Sequence, residues 1–583
     1  MTDHSIRPES THRRSPRWRP SRESLLIATA ALIGLAHLWL TVGPGIVLPS
    51  HPFWRVMPDD MAQAVMGGEA FLRDRAWHFP IAATAKLLAG GKPTSVVYTD
   101  SAPWIAVLLK AMGFGVGDVS VVGLTLALAI ILQPIAFVVL LLALGVKRTE
   151  CVLVGALLAV LLPAWYIRAS WHVALASHWV LLSALALAVV AIRRGVSWGV
   201  VVGFALLGAF SIGVHAYLFL MVAAIAAGGL LADVARLGMR ALPRAATGLA
   251  LLLASSATAA WALGYGPSGG SFGYGMFSMN LLSPLVPQKS GITQLLLGTP
   301  RWFMDATGGQ YEGFNYFGIG ILCCIAAAIA LFRQLRPSNA ALRTSIPLVA
   351  AMLALTMLAL SNKVYASHLL LLDVPVPNRL MALLVQVRSS GRLFWPVAYA
   401  ALAASIYILD RSPRRAAVGA GLAVALLLQV IDTSVMREML RAAYRSTPPR
   451  AGFDTSAWAA GGVFAGQDLR VMPSYSCTGH EDHSTIRRAA LAVERSGGVV
   501  DGGPTARFDP VLCDTAAYVR VLDDTARTGL DLLMTRSLPP ALTKRAAASP
   551  ACLPIDHGFL CGRGVVAAAA SGRFIATPAR APR

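Results

Sequence analysis

Charge is what this sequence has least of. Asp, Glu, Lys and Arg make up 14% of its 583 residues, where a soluble globular protein carries about 25%. That shortage, with 56% hydrophobic residues and a mean hydropathy of +0.61, excludes an ordinary soluble globule and predicts a polytopic membrane protein. Acidic residues are scarcer than basic ones, 29 against 50, which leaves a formal charge of +21. Much of the Lys and Arg falls in short segments between apolar runs, where topology accounts for it. No basic helix or aromatic RNA-binding motif accompanies the charge, so no nucleic-acid partner is expected. Cysteine is sparse too, and no CxxC or Cys/His spacing suggests zinc.

What is present is a series of apolar runs, at 25–48, 119–144, 151–167, 179–192, 196–212, 215–232, 246–263, 316–332, 344–360, 393–409 and 416–431. A crossing helix needs about 20 apolar residues, so about eleven spans are expected. Residues 1–24 read as a basic cytoplasmic tail, because the run after them is longer than a signal-peptide core. With the N-terminus inside, Lys147 and Arg148, Arg193 and Arg194, Arg236, Arg240 and Arg244 fall on the cytoplasmic side. So do Arg333, Arg336 and Arg343, then Arg411, Arg414 and Arg415, as the positive-inside rule requires. If 196–232 were one tilted helix rather than two split at Ser211–His215, every later loop would change sides.

This assignment makes 25–431 a membrane domain and exports the loops 49–118, 168–178, 264–315 and 361–392. It also exports 432–583, where four of the seven cysteines lie. Cys477, Cys513, Cys552 and Cys561 are an even number, consistent with two disulfides in an oxidising compartment. Proximity favours Cys477 with Cys513 and Cys552 with Cys561. Residues 464–565 alternate strand-like and helix-like stretches, with a helix from Ser484 or Thr485 to Gly497, and predict an α/β domain. His480, Asp482, His483 and Asp501 resemble metal ligands, but HEDH reads as a solvated turn between elements.

The loops carry the candidate chemistry. Asp59 and Asp60 follow the first run by roughly ten residues, where a helix has just left the lipid. Met61, Ala64, Val65, Ala70, Phe71 and Leu72 form an apolar stripe that predicts a helix from Asp60 to about Asp74, lying along the membrane surface. One aspartate suffices to cap that helix, so the second is a candidate for chemistry. The short run 102–112 predicts a second surface helix. His172 and His178 are six apart, the wrong spacing for two ligands on one helix face. Together with His215 and Tyr217 they fit interfacial anchors or contacts to a lipid phosphate. GYGPSGGSFGYG lacks the Lys and the context of a nucleotide loop and reads as a flexible segment. Glu312 and Asn315 sit among aromatic residues that suit either sugar faces or an interfacial belt. Arg388 and Arg392, one helical turn apart if helix continues, oppose the positive-inside trend. They suit bidentate phosphate binding, or an ion pair with Asp373 or the Asp59–Asp60 pair.

The stretches MPDDMAQ…FLRDRAWHFPI, VYTDSAPW, HVALASHW, NLLSPLVP, YEGFNYFG and VRSSGRLFWP together resemble a family of bacterial integral membrane proteins of unknown function, similar in architecture to the C-type (GT-C) glycosyltransferases. The resemblance covers roughly 25–431. It implies a mainly α, polytopic GT-C-like fold with a C-terminal periplasmic α/β domain in the bacterial inner membrane. It further implies an enzyme that moves a sugar from a polyprenyl-phosphate donor to an envelope glycan or lipid acceptor on the outer face. In that family Asp59 and Asp60 would be catalytic, one of them as general base on the acceptor hydroxyl. Arg388 and Arg392 would stabilise the leaving phosphate. Asp100 and Glu312 would orient sugar hydroxyls or, with Asp60, hold a divalent metal, Mg or Mn, which some GT-C enzymes need and others do not. No WWD-type acceptor motif is evident, which argues against protein N-glycosylation. The alternatives are a transporter or flippase, for which paired repeats and mid-membrane ionisable groups are not visible, and a non-catalytic scaffold.

Overall fold

The computed structural model describes residues 21–55, 57, 59–266, 273–298, 305–332, 339–445, 463–505, 513, 528–555, 557–562 and 565. Each apolar stretch read from the sequence contains helix, because a chain in lipid must satisfy its backbone groups within itself. The helices are α1 (Arg22–Leu40), α2 (Asp59–Arg73), α3 (Pro103–Ala111), α4 (Val121–Leu144), α5 (Thr149–Val160), α6 (Pro163–Trp171), α7 (Trp179–Arg194), α8 (Trp198–Ile212) and α9 (Ala216–Leu230). They continue with α10 (Ala232–Leu237), α11 (Leu242–Leu263), α12 (Gly291–Leu297), α13 (Ile319–Phe332), α14 (Asn339–Leu360), α15 (Asn378–Leu384), α16 (Trp395–Asp410), α17 (Arg415–Asp432) and α18 (Ser434–Arg445). The central α4 shows how sequence sets the ends. Ser120 accepts a hydrogen bond from the Gly123 amide at 3.1 Å, and Gly145 closes the helix at φ +77°.

The expected count of about eleven spans is not confirmed. Among the described residues, seven runs are long and apolar enough to cross a bilayer, or eight if the bent pair α5 and α6, 44° apart, counts as one. With 15 and 14 residues, α8 and α13 fall short of that length. One of the seven runs, Ala216–Leu263, has 48 residues. At 1.5 Å per residue it would reach about 72 Å, more than twice the hydrocarbon thickness, as a single rod. A left-handed Gly238 (φ +74°) interrupts it between α9 and α11.

Two further helices, α19 (His480–Arg495) and α20 (Pro540–Ala548), flank a seven-stranded sheet. Its strands are β1 (Ala83–Ala89), β2 (Lys92–Ser95), β5 (Leu469–Met472), β6 (Val500–Asp501), β7 (Leu530–Met534), β8 (Cys552–Ile555) and β9 (Gly558–Cys561), in the order β2-β1-β6-β5-β7-β9-β8. The boundary drawn at residue 432 therefore does not bound the sheet. The first loop sends its hairpin β1–β2 into it, with Leu87 of β1 in parallel register with Val500 of β6. A separate hairpin, β3 (Lys363–Ala366) and β4 (Leu369–Asp373), leaves Leu369, Leu370, Leu371 and Leu372 exposed. Disulfides join Cys477 to Cys513 and Cys552 to Cys561.

Two local expectations change. α2 forms over the expected residues, but protein rather than lipid covers its apolar stripe. Its stripe of Met61, Ala64, Val65, Ala70, Phe71 and Leu72 is buried, and the helix is packed between α19, β1 and α4. An apolar stripe specifies burial without saying whether lipid or protein supplies it. HEDH, expected as a solvated turn, forms the first turn of α19. Asp482 is buried there, and the His483 ring stacks on Tyr475 with centroids 4.0 Å apart.

Candidate functional site

The site is assembled where the membrane helices meet the loops. At the end of α6, Arg168 Nη1 donates to Glu312 Oε2 at 2.7 Å. Arg392, in the turn before α16, donates to the same oxygen through Nε at 2.9 Å and Nη2 at 2.7 Å. All three side chains are buried. His172 Nε2 stands 3.9 Å from the other carboxylate oxygen. Burial alone would push the Glu312 carboxyl up, but the two guanidiniums and His172 hold it well below the ordinary carboxylate range. Glu312 is thus an ionised bridge between two arginines brought from distant parts of the chain.

Two glycines let this bridge close. Gly313 and Gly391 lie back to back, and a Cβ on Gly391 would run into the backbone of Gly313. Asn315 ties the two segments together, its Nδ2 donating to the carbonyls of Gly313 at 3.0 Å and Gly391 at 2.8 Å. On the other side the Tyr217 hydroxyl accepts from the Ser389 amide at 2.9 Å. The Arg392 guanidinium lies 5.1 Å over the Tyr217 ring, a cation–π contact that also fixes its plane.

Next to this bridge is a second pair. His215 begins α9, and its Nδ1 accepts from the Tyr217 amide at 3.1 Å. That leaves Nε2 to face Asp100 Oδ1 at 3.5 Å. Asp100 sits at φ 58°, a left-handed position that turns its carboxylate back toward the histidine. Burial raises the Asp100 carboxyl, but the hydrogen bond and charge of His215, with His172 and Arg392 beyond, bring it down to about 2. Asp100, His172, His215, Glu312, Asn315 and Arg392 are therefore brought together.

Three candidates have other partners, and the side chain of Asp59 lies outside the described residues. Arg388 is exposed, 5.8 Å over the Phe277 ring. The helix does not continue between it and Arg392: Ser389 at ψ 58° breaks the turn, so the two arginines are not one fork. His178 is not interfacial. It is fully buried, bonded through Nδ1 to the Tyr399 hydroxyl at 2.9 Å and set against Trp395. Asp60, which begins α2 together with Asp59, pairs with Arg487 of α19 at 3.0 Å rather than with Arg388 or Arg392. Its carboxylate is 43% exposed. It still acts on the cluster: burial, then the charges of Glu312 and Asp60, raise the neighbouring Tyr311 hydroxyl.

Two functional candidates escaped the sequence reading. Arg168 ends an apolar run on the same side as Arg388 and Arg392, so the charge-bias argument applied to them covers it equally. Arg487 had no such signal, because only the folded chain sets α19 against α2. The carboxylates expected as metal ligands, Asp60, Asp100 and Glu312, each face a cationic or imidazole side chain. Glu312 gives Oε2 to the two guanidiniums, Asp60 faces Arg487, and no cluster of three His, Cys, Asp or Glu suited to a cation exists among the described residues.

The fold and the site define a polytopic, mainly helical membrane protein with a buried arginine–carboxylate cluster where its helices meet its loops. The chain belongs to the family described as a domain of unknown function, DUF6311, whose model matches residues 31–434. None of the curated proteins matches it. Among solved structures it is similar to the oligosaccharyltransferase of Archaeoglobus fulgidus, solved in complex with Zn and sulfate. The identity is 11%, the overlap covers 90% of this chain and 70% of that one, and the TM-score is 0.40.

Proposed function

We propose that the protein is a membrane glycosyltransferase that takes a sugar from a polyprenyl-phosphate donor and passes it to a cell-envelope acceptor on the outer face of the bacterial inner membrane. The observation that carries the reading is the buried Arg168–Glu312–Arg392 bridge. Two guanidiniums aligned on one carboxylate in a site walled by membrane helices form a preorganised grip for phosphate oxygens. Each guanidinium has N–H groups beyond those given to Glu312. An acceptor hydroxyl attacks the anomeric carbon as the bond from that carbon to the lipid phosphate oxygen breaks. The electron pair leaves on the phosphate, where Arg168 and Arg392 meet the growing charge. The acceptor proton passes to an aspartate at the start of α2, and Arg487 holds the Asp60 carboxylate in place. Asp100 and His215 hydrogen-bond sugar hydroxyls.

The test is transfer by purified full-length protein from a synthetic polyprenyl-phosphate sugar, followed by mass spectrometry. Asp59→Asn and Asp60→Asn are each made in folded, membrane-inserted protein. Loss of general-base catalysis in at least one of them lowers the rate by about 10²–10⁴-fold. Undiminished transfer in both variants removes the reading.

A further inference from the structure

A second cationic groove lies apart from the Glu312 cluster, and the proposed reaction does not use it. Arg437, Arg441 and Arg445 recur every four residues along α18, so they form one stripe. The other face of α18, carrying Met436, Leu440 and Tyr444, is buried. The Tyr444 hydroxyl anchors that face, donating to the Ala169 carbonyl at 2.7 Å. Between α18 and the end of α1 opens a cavity of about 690 Å³, bounded by His37, Thr41, Ser434, Arg437, Met439 and Arg441. Two buried nitrogens among these residues, His37 Nε2 and Arg437 Nε, have no hydrogen-bond partner among the described residues. Arg437 spends Nη2 on the Val430 carbonyl at 2.6 Å. Among the described residues Arg441 pairs with an exposed Glu438 at 3.6 Å, a surface pair that holds it weakly. Both α1 and α17 end beside this groove, which sets it at the water–lipid boundary. The α1 residues leading to it from the membrane, Leu35, Trp39 and Leu40, are exposed and apolar.

A groove with arginines at its water end and an apolar helix face below has the polarity of a phospholipid. Its volume falls in the range of about 300–1,000 Å³ usual for organic ligands, more than a lone inorganic anion fills. We propose that this groove binds the phosphodiester headgroup of an anionic bilayer phospholipid. Arg437 and Arg441 hold the phosphate, His37 Nε2 faces the headgroup, and the acyl chains run along Leu35, Trp39 and Leu40. The site stands independently of the transfer reaction.

The experiment places the full chain in phosphatidylcholine nanodiscs doped with phosphatidylglycerol and measures retained lipid by native mass spectrometry. The wild type retains phosphatidylglycerol in preference to phosphatidylcholine. Arg441→Gln, at an exposed position that folding tolerates, weakens retention about fivefold, and Arg437→Gln with Arg441→Gln about twenty-fivefold. Equal retention of the two lipids by the wild type, or unchanged retention in Arg441→Gln, overturns the proposal. Displacement of the lipid by millimolar inorganic phosphate also overturns it, in favour of a free anion. A preference for polyprenyl phosphate over phosphatidylglycerol overturns it in favour of the carrier lipid.

Discussion

Glu312→Gln is the substitution that asks most of this structure. It keeps the shape of the side chain but removes the charge that two buried guanidiniums share. In the wild type three charge-assisted hydrogen bonds of 2.7–2.9 Å converge on Oε2. Without the carboxylate, Arg168 and Arg392 face each other uncompensated, and breaking a buried pair in this way costs about 3–5 kcal/mol. The amide oxygen of Gln recovers at most one ordinary hydrogen bond of about 1 kcal/mol, so a net loss of about 2–4 kcal/mol is expected. Unfolding in mixed micelles, followed by tryptophan fluorescence, measures it. If the arginines grip phosphate, pyrophosphate restores stability to the variant by about 2.7 kcal/mol at a hundredfold excess over its dissociation constant. It stabilises the wild type by less, because the Glu312 charge opposes the anion at the N–H groups that remain. A variant within about 0.5 kcal/mol of the wild type would show that the bridge is not a desolvated pair, and the argument for a phosphate grip would fall with it.

Gly391→Ala drives a methyl group into the Gly313 backbone and moves Arg392 away from Glu312. A destabilisation of about 1–3 kcal/mol and a drop in transfer of about 10²-fold are expected, read by the same unfolding and transfer assays. Glu494→Gln tests the docking of α2 on α19. Glu494 is fully buried against Arg73 at 2.8 Å, and burial, with the charge of Glu69, raises its carboxyl to about 8. A raised acid stabilises the fold while neutral and loses that contribution as pH rises through about 8. Hydrogen exchange of the α2 amides should therefore show the wild type loosening between pH 6 and 9, by on the order of 2 kcal/mol, while Glu494→Gln does not. Parallel loosening of both proteins would refute it.

The membrane helices were legible because lipid imposes a long apolar run on any chain that crosses it. Helix α2 was legible as a helix for a related reason, its stripe at helical spacing, but the stripe could not say that α19 would cover it. The hairpin β1–β2 was hidden. ATAKLLA has no alternating pattern, and its partner β6 begins 411 residues after the strand ends. In the site, the positive-inside rule gave Arg392 and Arg388 the same weight. Only the break at Ser389 separates an exposed cation from a buried one. His178 was misplaced because neighbouring tryptophans mark a membrane boundary in sequence equally well when one histidine is turned into the helix core. The two disulfides follow nearness along the chain, the simplest rule available to a small domain.

The shared sheet also has a consequence in time. Leu87 is made long before Val500, its neighbour in the parallel ladder. A ribosome adding about 5–20 residues per second leaves the early hairpin waiting on the order of 20–80 s for its mate. Throughout that interval one strand edge stands open to any other nascent chain. A product that stops after α17 can never close it.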